Sequence, residues 1–249
     1  MSALPHPDHV LFQGEKPFPI LPAVDHYAGS EKLMRKALGL QHELGPVFDI
    51  TCDCEDGAHA GAEAEHAAMA AEIVMSGDNR FGRVGARIHD ITHAHWEQDV
   101  DILVGQAGER LAFLTIPKPR SVADAARQIE AIRNAEERHG IKREIPVHVL
   151  IETHGALRDA WEIAALDRVE SLDFGLMDFV SGHHGAIPVA AMRRPGQFEH
   201  PLIIRAKCDI AAAALANGVV PSHNVTTELK DLAYIRRDAE RARKEFGYL

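Results

Sequence analysis

Several short polar clusters carry residue types that could do chemistry together. They are Asp53-Cys54-Glu55-Asp56, Arg87 with His89 and Asp90, Lys118, Glu152-Thr153-His154, Asp178 behind Gly175, and Ser222-His223-Asn224. Carboxylates gathered without compensation repel one another and raise one another's pKa. A divalent cation removes that conflict. Two carboxylates, water and a chelating organic acid are a normal arrangement for Mg²⁺, which keeps part of its hydration shell. Glu152 and Asp178 are the expected Mg²⁺ ligands; the other use of such acids is to cap the following helix or to pair with a lysine. Zn²⁺ fits less well, because no closed His/Cys set is evident at these positions. Arg87 offers a planar fork that matches a carboxylate or an oxyanion. A structural ion pair from Arg87 to Asp53 or Glu55 is compatible with that role.

The chain has 16 histidines. His93 and His95 are expected at a helix start, and His183-His184 could border the pocket. Each is read first as an ordinary side chain rather than a catalytic one. Cys52 and Cys54 have no second Cys pair at metal-site spacing, so they are expected to be small packing residues.

These clusters meet only if each one ends a strand. Apolar, β-branched runs do alternate with helical patterns. The expected strands are Phe18–Ala23, Pro46–Thr51, Gly82–Ile88, Leu111–Ile116, Ile145–Ile151, Val169–Gly175 and Val219–Val225. The expected helices begin behind Ser30, with Leu33, Met34, Ala37 and Leu38 at helical spacing, and then run over Ala60–Met75 and His95–Val104. A further one starts behind Ser121, with Val122, Ala125, Ile129 and Ile132 on one face. Leu157–Leu166, Lys207–Asn217 and Glu228–Phe246 complete the set. Parallel strands need crossover connections, and these helices supply them. Both a doubly wound sheet and a (β/α)8 barrel fit the alternation. No G-x-G-x-x-G or G-x-x-x-x-G-K-[ST] occurs, which favours a TIM-type barrel in one domain. Barrel active sites lie at the C-terminal strand ends, where the polar clusters fall.

The bulk composition agrees. The 249 residues are 46% hydrophobic and 26% charged, with 19 Gly and 13 Pro, which is ordinary for a globular chain and enough for one α/β barrel. No apolar run approaches the roughly 20 residues of a membrane helix. The N-terminal stretch from Met1 to Phe18 lacks the basic start and apolar core of a secretion signal. Three cysteines make no disulfide framework, so a cytoplasmic setting is expected. A net charge of −10 argues against a nucleic-acid partner, but not against an anionic small ligand in a cationic pocket.

At these residues the chain resembles the citrate lyase β-subunit-like branch of the HpcH/HpaI aldolase superfamily. Asp53-Cys54-Glu55-Asp56 resembles that family's D-L-E-D, and Ala86-Arg87-Ile88-His89 its V-R-I-N. Ile116-Pro117-Lys118 resembles L-P-K, Ile151-Glu152-Thr153 resembles I-E-T, and Phe174 to Phe179 resembles F-G-x-x-D-L. The likeness runs from about Phe18 to Tyr248. It implies a TIM barrel, Mg²⁺ on Glu152 and Asp178, and a homo-oligomer, commonly a trimer or hexamer. It also implies lyase chemistry on a CoA thioester or a 2-oxo acid, with substrate contacts from Arg87, Lys118 and Glu152. The expected reaction cleaves a carboxylated 3-hydroxyacyl-CoA of malyl, citramalyl or citryl type, with the base among the acids Asp53, Glu55 and Asp56. The alternatives are a free 2-oxo acid aldolase of the HpcH type and an inactive binding homologue. HpcH-type relatives usually place a histidine where this chain has Asp56, which favours the thioester branch. The chain departs from the pattern at Arg120, where relatives often have Glu, and at His89, where Asn is usual. It also lacks the family's eighth strand with its I-H-P motif, so a longer parent protein is expected.

Overall fold

The computed structural model describes residues 18–58, 60–228 and 230–249. The segment read above for a secretion signal lies almost wholly outside the described residues. Seven parallel strands form one sheet in the order of the sequence. They are β1 (Asp25–Ala28), β2 (Asp49–Asp53), β3 (Val84–Arg87), β4 (Leu114–Ile116), β5 (Val147–Ile151), β6 (Val169–Phe174) and β7 (Val220–Ser222). The crossovers are α1 (Glu31–Leu44), α2 (Glu63–Met75), α3 (Trp96–Ala107), α4 (Val122–His139), the pair α5 (His154–Arg158) and α6 (Ala160–Ala164), then α7 (Leu176–Ser181) and α8 (Pro201–Ala216). A last helix, α9 (Leu232–Phe246), follows β7. Among the described residues the sheet curls as a TIM-like barrel with seven strands. Among the described residues no ladder joins β7 to β1.

Period-two alternation explains the strand sequences. Ile50, Cys52, Val84, Ala86, Leu114, Ile116, Val149, Ile151 and Leu172 are fully buried and belong to the apolar core shared with the helices. Most of their alternates are polar, namely Asp25, Thr51, Asp53, Thr115, His148, Ser171 and Asp173, with Gly85 and Leu150 as exceptions. Thr51 donates its hydroxyl to Asp25 at 2.7 Å, and Ser171 donates to Asp173 at 2.5 Å. The barrel interior is therefore polar, and Cys52 and Cys54 are buried free thiols, as their packing role required.

The element positions differ from the expected ones where proline or local caps intervene. The first strand is Asp25–Ala28 rather than Phe18–Ala23, because Pro19 and Pro22 have no N–H to give a ladder, and Ile20 is 90% exposed. The second begins at Asp49, after Pro46. Leu33 lies on the exposed side of α1, whose buried residues are Met34, Ala37, Leu38 and Gln41. Ser121 caps α4 as expected, accepting the Asp124 N–H. The single helix expected over Leu157–Leu166 is two short ones broken at Asp159, whose carboxylate accepts the Val122 N–H at 3.0 Å. Pro201 starts α8 well before Lys207, and Asp231 rather than Glu228 opens α9, by accepting the Tyr234 N–H. No helix of the described residues is long and apolar enough to cross a membrane.

Candidate active site

Asp53 ends β2, and the chain behind it curls back on its carboxylate. The carboxylate accepts the backbone N–H of Glu55 at 3.0 Å and of Gly57 at 2.9 Å. A Cβ on Gly57 would lie 2.4 Å from Asp53 Oδ2, so this turn needs glycine. The β2–β3 register sets Asp53 opposite Arg87. Arg87 grips it as a fork, Nε to Oδ1 at 2.8 Å and Nη2 to Oδ2 at 2.7 Å. Its remaining Nη1 lies 3.0 Å from Glu55 Oε2, and its Cζ sits 5.2 Å from the centre of the Tyr27 ring. Burial alone would lift the Asp53 pKa, but the hydrogen bonds and charge of Arg87 outweigh it and hold the carboxyl below its ordinary value. Asp53 is thus a fixed anion that aims Arg87.

Lys118 enters from the end of β4. Its Nζ lies 3.0 Å from Glu55 Oε1, 2.7 Å from Asp56 Oδ2 and 3.8 Å from Asp178 Oδ2. Glu55 is therefore wedged between two cations as a charge contact, without a well-aligned hydrogen bond at either oxygen. The Lys118 backbone has φ of 49°, in the left-handed region that non-glycine residues avoid. Its amide donates to Glu152 Oε1 at 2.9 Å. Glu152 follows β5 and is 4% exposed. Gly175, at the end of β6, makes room for it: a Cβ there would stand 2.1 Å from Glu152 Oε2. Asp178 sits in the first turn of α7, partly exposed to solvent.

Acid is in excess where these ends meet. The Glu152 carboxyl is pushed up to about 8, first by burial and then by the charges of Asp178 and Glu55; the Lys118 amide and Arg87 pull the other way. The charges of Asp178 and Glu55 act on Glu152, and a hard divalent cation would supply the positive charge that Arg87 and Lys118 leave short. Among the described residues no set of three or more His, Cys, Asp or Glu side chains is arranged to hold a metal ion. A Mg²⁺ site made of two carboxylates, water and ligand oxygens needs no such set, so the donors present fit that ion.

The structure brings Arg87, Glu55, Asp56, Lys118, Glu152 and Asp178 to one face. The polar group after β6 and β7 is dispersed. Ser222 stands opposite Asp173 in the β6–β7 register, and His223 turns outward, 2.7 Å from Lys207 Nζ. His183 donates to the Phe179 carbonyl and packs on His154. Sequence reasoning missed Tyr27 under the guanidinium, Gly175 as the cradle of Glu152, and Asp99, which binds His89. The signal for Gly175 was present in the F-G-x-x-D pattern; Asp99 reads in sequence only as an acid in the first turn of a helix.

Fold and site define a TIM-like barrel protein with a cluster of acids and two cations at the C-terminal strand ends. The chain belongs to the HpcH/HpaI aldolase/citrate lyase family, whose profile matches residues 49–247. It is similar to an L-malyl-CoA/β-methylmalyl-CoA lyase of Cereibacter sphaeroides, 30% identical over 134 residues, covering 53% of this chain and 42% of that protein. A citrate lyase subunit beta-like protein of Deinococcus radiodurans is 26% identical over 80% of this chain and 64% of its own length. The chain thus spans roughly half the length of the curated relatives it matches. Among solved structures, a citrate lyase from Burkholderia xenovorans superposes with a TM-score of 0.90 at 57% identity, over 93% of this chain and 72% of that one. The protein CitE of Mycobacterium tuberculosis, in complex with magnesium and acetate, has the same fold with a TM-score of 0.69 at 19% identity, over 92% and 84% of the two chains.

Proposed function

We propose that this chain carries the site of a Mg²⁺-dependent carbon–carbon lyase. Its substrate is a carboxylated 3-hydroxyacyl-CoA thioester of malyl, citramalyl or citryl type, split into an acyl-CoA and a 2-oxo acid. The observation that carries the reading is Glu152, a buried carboxylate at a strand end whose carboxyl is pushed up to about 8, first by burial and then by the charges of Asp178 and Glu55. Glu152 and Asp178 hold the ion. Bound there, Mg²⁺ supplies Lewis acidity to the substrate oxygens and fixes their orientation.

The protein's own groups do the rest. Arg87 is locked by Asp53, so its positive charge is oriented before substrate arrives and is set to stabilise the thioester enolate or the acid product. Lys118 adds a second positive charge within reach of Asp178. Glu55 and Asp56 hold these cations in place. Each of the two is spent on a cation, which weakens its case as the base. The thioester, rather than a free acid, is supported by the malyl-CoA lyase relative and by the complex of M. tuberculosis CitE with magnesium, acetoacetate and coenzyme A.

The test is a panel of 3-hydroxyacyl-CoA esters and free hydroxy-oxo acids incubated with the full-length protein and Mg²⁺, with a chelator control. Carbonyl products are trapped as hydrazones. Chelator-sensitive cleavage of an ester is expected. Cleavage of free acids alone, or of neither group, contradicts the proposal.

A further inference from the structure

The three acids behind β2 are all paired with cations, and Glu152 faces the proposed ion. That leaves the proton-transfer group to be found, and the end of β3 holds one. We propose that His89, oriented by Asp99, is the acid–base group of this site: its Nε2 takes the substrate's C3-hydroxyl proton and returns it to the thioester α-carbon. The inference rests on the lyase reading above.

His89 stands two residues beyond Arg87, and the ladder continues between them, with Ile88 N–H donating to the Thr115 carbonyl at 3.2 Å. Alternation therefore directs Arg87 and His89 to the same side of the strand. Asp99, in the first turn of α3, is fully buried. Its Oδ2 accepts two donors from the one residue, the His89 backbone N–H at 2.9 Å and ring Nδ1 at 2.6 Å. Two bonds to one oxygen fix the ring's rotation, and donation from Nδ1 leaves the lone pair of the neutral ring on Nε2. The His93 ring lies flat against it, with centroids 3.9 Å apart and planes 9° apart. Gln128 of α4 steadies the same segment by donating to the His89 carbonyl at 3.3 Å. Asp99 engages Nδ1 and leaves Nε2 for another partner, and the ring is not sealed in, since the residue is 8% exposed.

This is the arrangement of a general base held by a buried carboxylate. The charged groups that face the ring are Asp99 from α3, Glu55 from the loop after β2 and Glu63 from the start of α2; His93 lies over its face and His95 beyond. Burial lowers its pKa, but Asp99, then Glu55 and Glu63, outweigh that and raise it above the ordinary histidine value. Such a ring accepts a proton readily and holds it as imidazolium while the bond breaks.

The step balances without any co-reactant. The hydroxyl proton passes to Nε2, and the oxygen lone pair becomes the carbonyl π-bond of the departing 2-oxo acid. The C2–C3 bonding pair moves onto the thioester as its enolate. The imidazolium then protonates the α-carbon, giving the acyl-CoA and a neutral ring. Asp99 takes no part in the transfer and acts as a positioning residue.

The test uses the full-length protein with Mg²⁺ and L-malyl-CoA or citramalyl-CoA, comparing wild type with His89→Asn, His89→Gln and Asp99→Asn. Asn is the residue usual in the family at this place, so His89→Asn is expected to fold, as checked by its melting curve. For both His89 variants kcat falls by about 100-fold or more with KM within about 3-fold, and the acidic limb of the pH–rate profile disappears. Asp99→Asn lowers kcat and moves that limb to lower pH. Independently of turnover, ¹⁵N-histidine spectra show a ring, assigned by its loss in His89→Gln, that titrates above the ordinary histidine value and drops in Asp99→Asn. An active wild type whose His89 variants keep a third or more of kcat with an unmoved pH limb overturns the assignment alone. A wild type that cleaves neither ester overturns the lyase reading, and this assignment with it.

Discussion

At the rim of the sheet, burial and neighbouring acids push Glu152 up to about 8. Behind the sheet, between α8, β7 and α9, burial pushes Lys207 down to about 7, with the charges of Asp238, Arg241 and Glu245 as smaller influences. Both groups are driven toward their neutral forms, yet their surroundings differ. Lys207 is fully enclosed. Its Nζ lies 2.7 Å from His223 Nε2, 3.4 Å from Gln197 Oε1 and 4.0 Å from the centre of the Phe198 ring. Gln197 passes the network on to Asp238 at 2.9 Å. That cluster is completed by its own chain. Among the described residues Glu152 has one backbone donor and no side-chain cation of its own, and the charges of Asp178 and Glu55 act on it, which an added cation would offset. A displaced pKa marks a binding site where the partner must come from outside, and a packing solution where the chain supplies it.

The comparison breaks most sharply on paired substitutions. Glu152→Gln keeps shape and removes the charge; ester cleavage is expected to fall by about 100-fold or more, whereas Lys207→Met stays within about 2-fold of wild type. Equal losses in steady-state assays would erase the distinction between the two regions. Next comes Gly175→Ala, whose added Cβ would stand 2.1 Å from Glu152 Oε2 and 2.5 Å from its Cβ. Displacing Glu152 by about 1 Å is expected to lower kcat by roughly 100-fold, with a stability loss of about 1–3 kcal/mol in denaturant melts. Wild-type activity in this variant would mean that Glu152's position is not critical.

The smallest effect sharpens the other side. Lys207 has a folded pKa of about 7 against 10.5 in the unfolded chain. Between those values the unfolded state binds the extra proton, so stability attributable to this residue rises with pH, by up to about 1.4 kcal/mol per unit. The penalty is absent above the unfolded value and complete below about 7. The stability of wild type minus that of Lys207→Met should therefore increase from pH 7 to 9.5 in urea titrations. A constant difference would mean that Lys207 stays charged in the folded protein.

The strand ends were legible in the sequence because each site residue follows a run of alternating apolar positions. Asp53, Arg87, Lys118 and Glu152 sit at those ends. The first strand was not, because Phe18 to Ala23 has the apolar composition of a strand while its prolines remove the donors. The group after β7 is expected among the polar strand ends, but the alternation that turns Ser222 inward sends His223 out to Lys207. Partners on other elements, such as Asp99 ten residues beyond His89 or Tyr27 for Arg87, leave no local pattern; register and helix placement create them.

The central claim is that Glu152 and Asp178 hold one hard cation. Calorimetric titration of Mg²⁺ into full-length wild type, Glu152→Gln and Asp178→Asn tests it most directly. A single Mg²⁺ per chain is expected in wild type, with affinity weaker by about 10-fold or more in each variant and metal-free melting curves little changed. Equal Mg²⁺ affinity in all three proteins, or none in wild type, would contradict it.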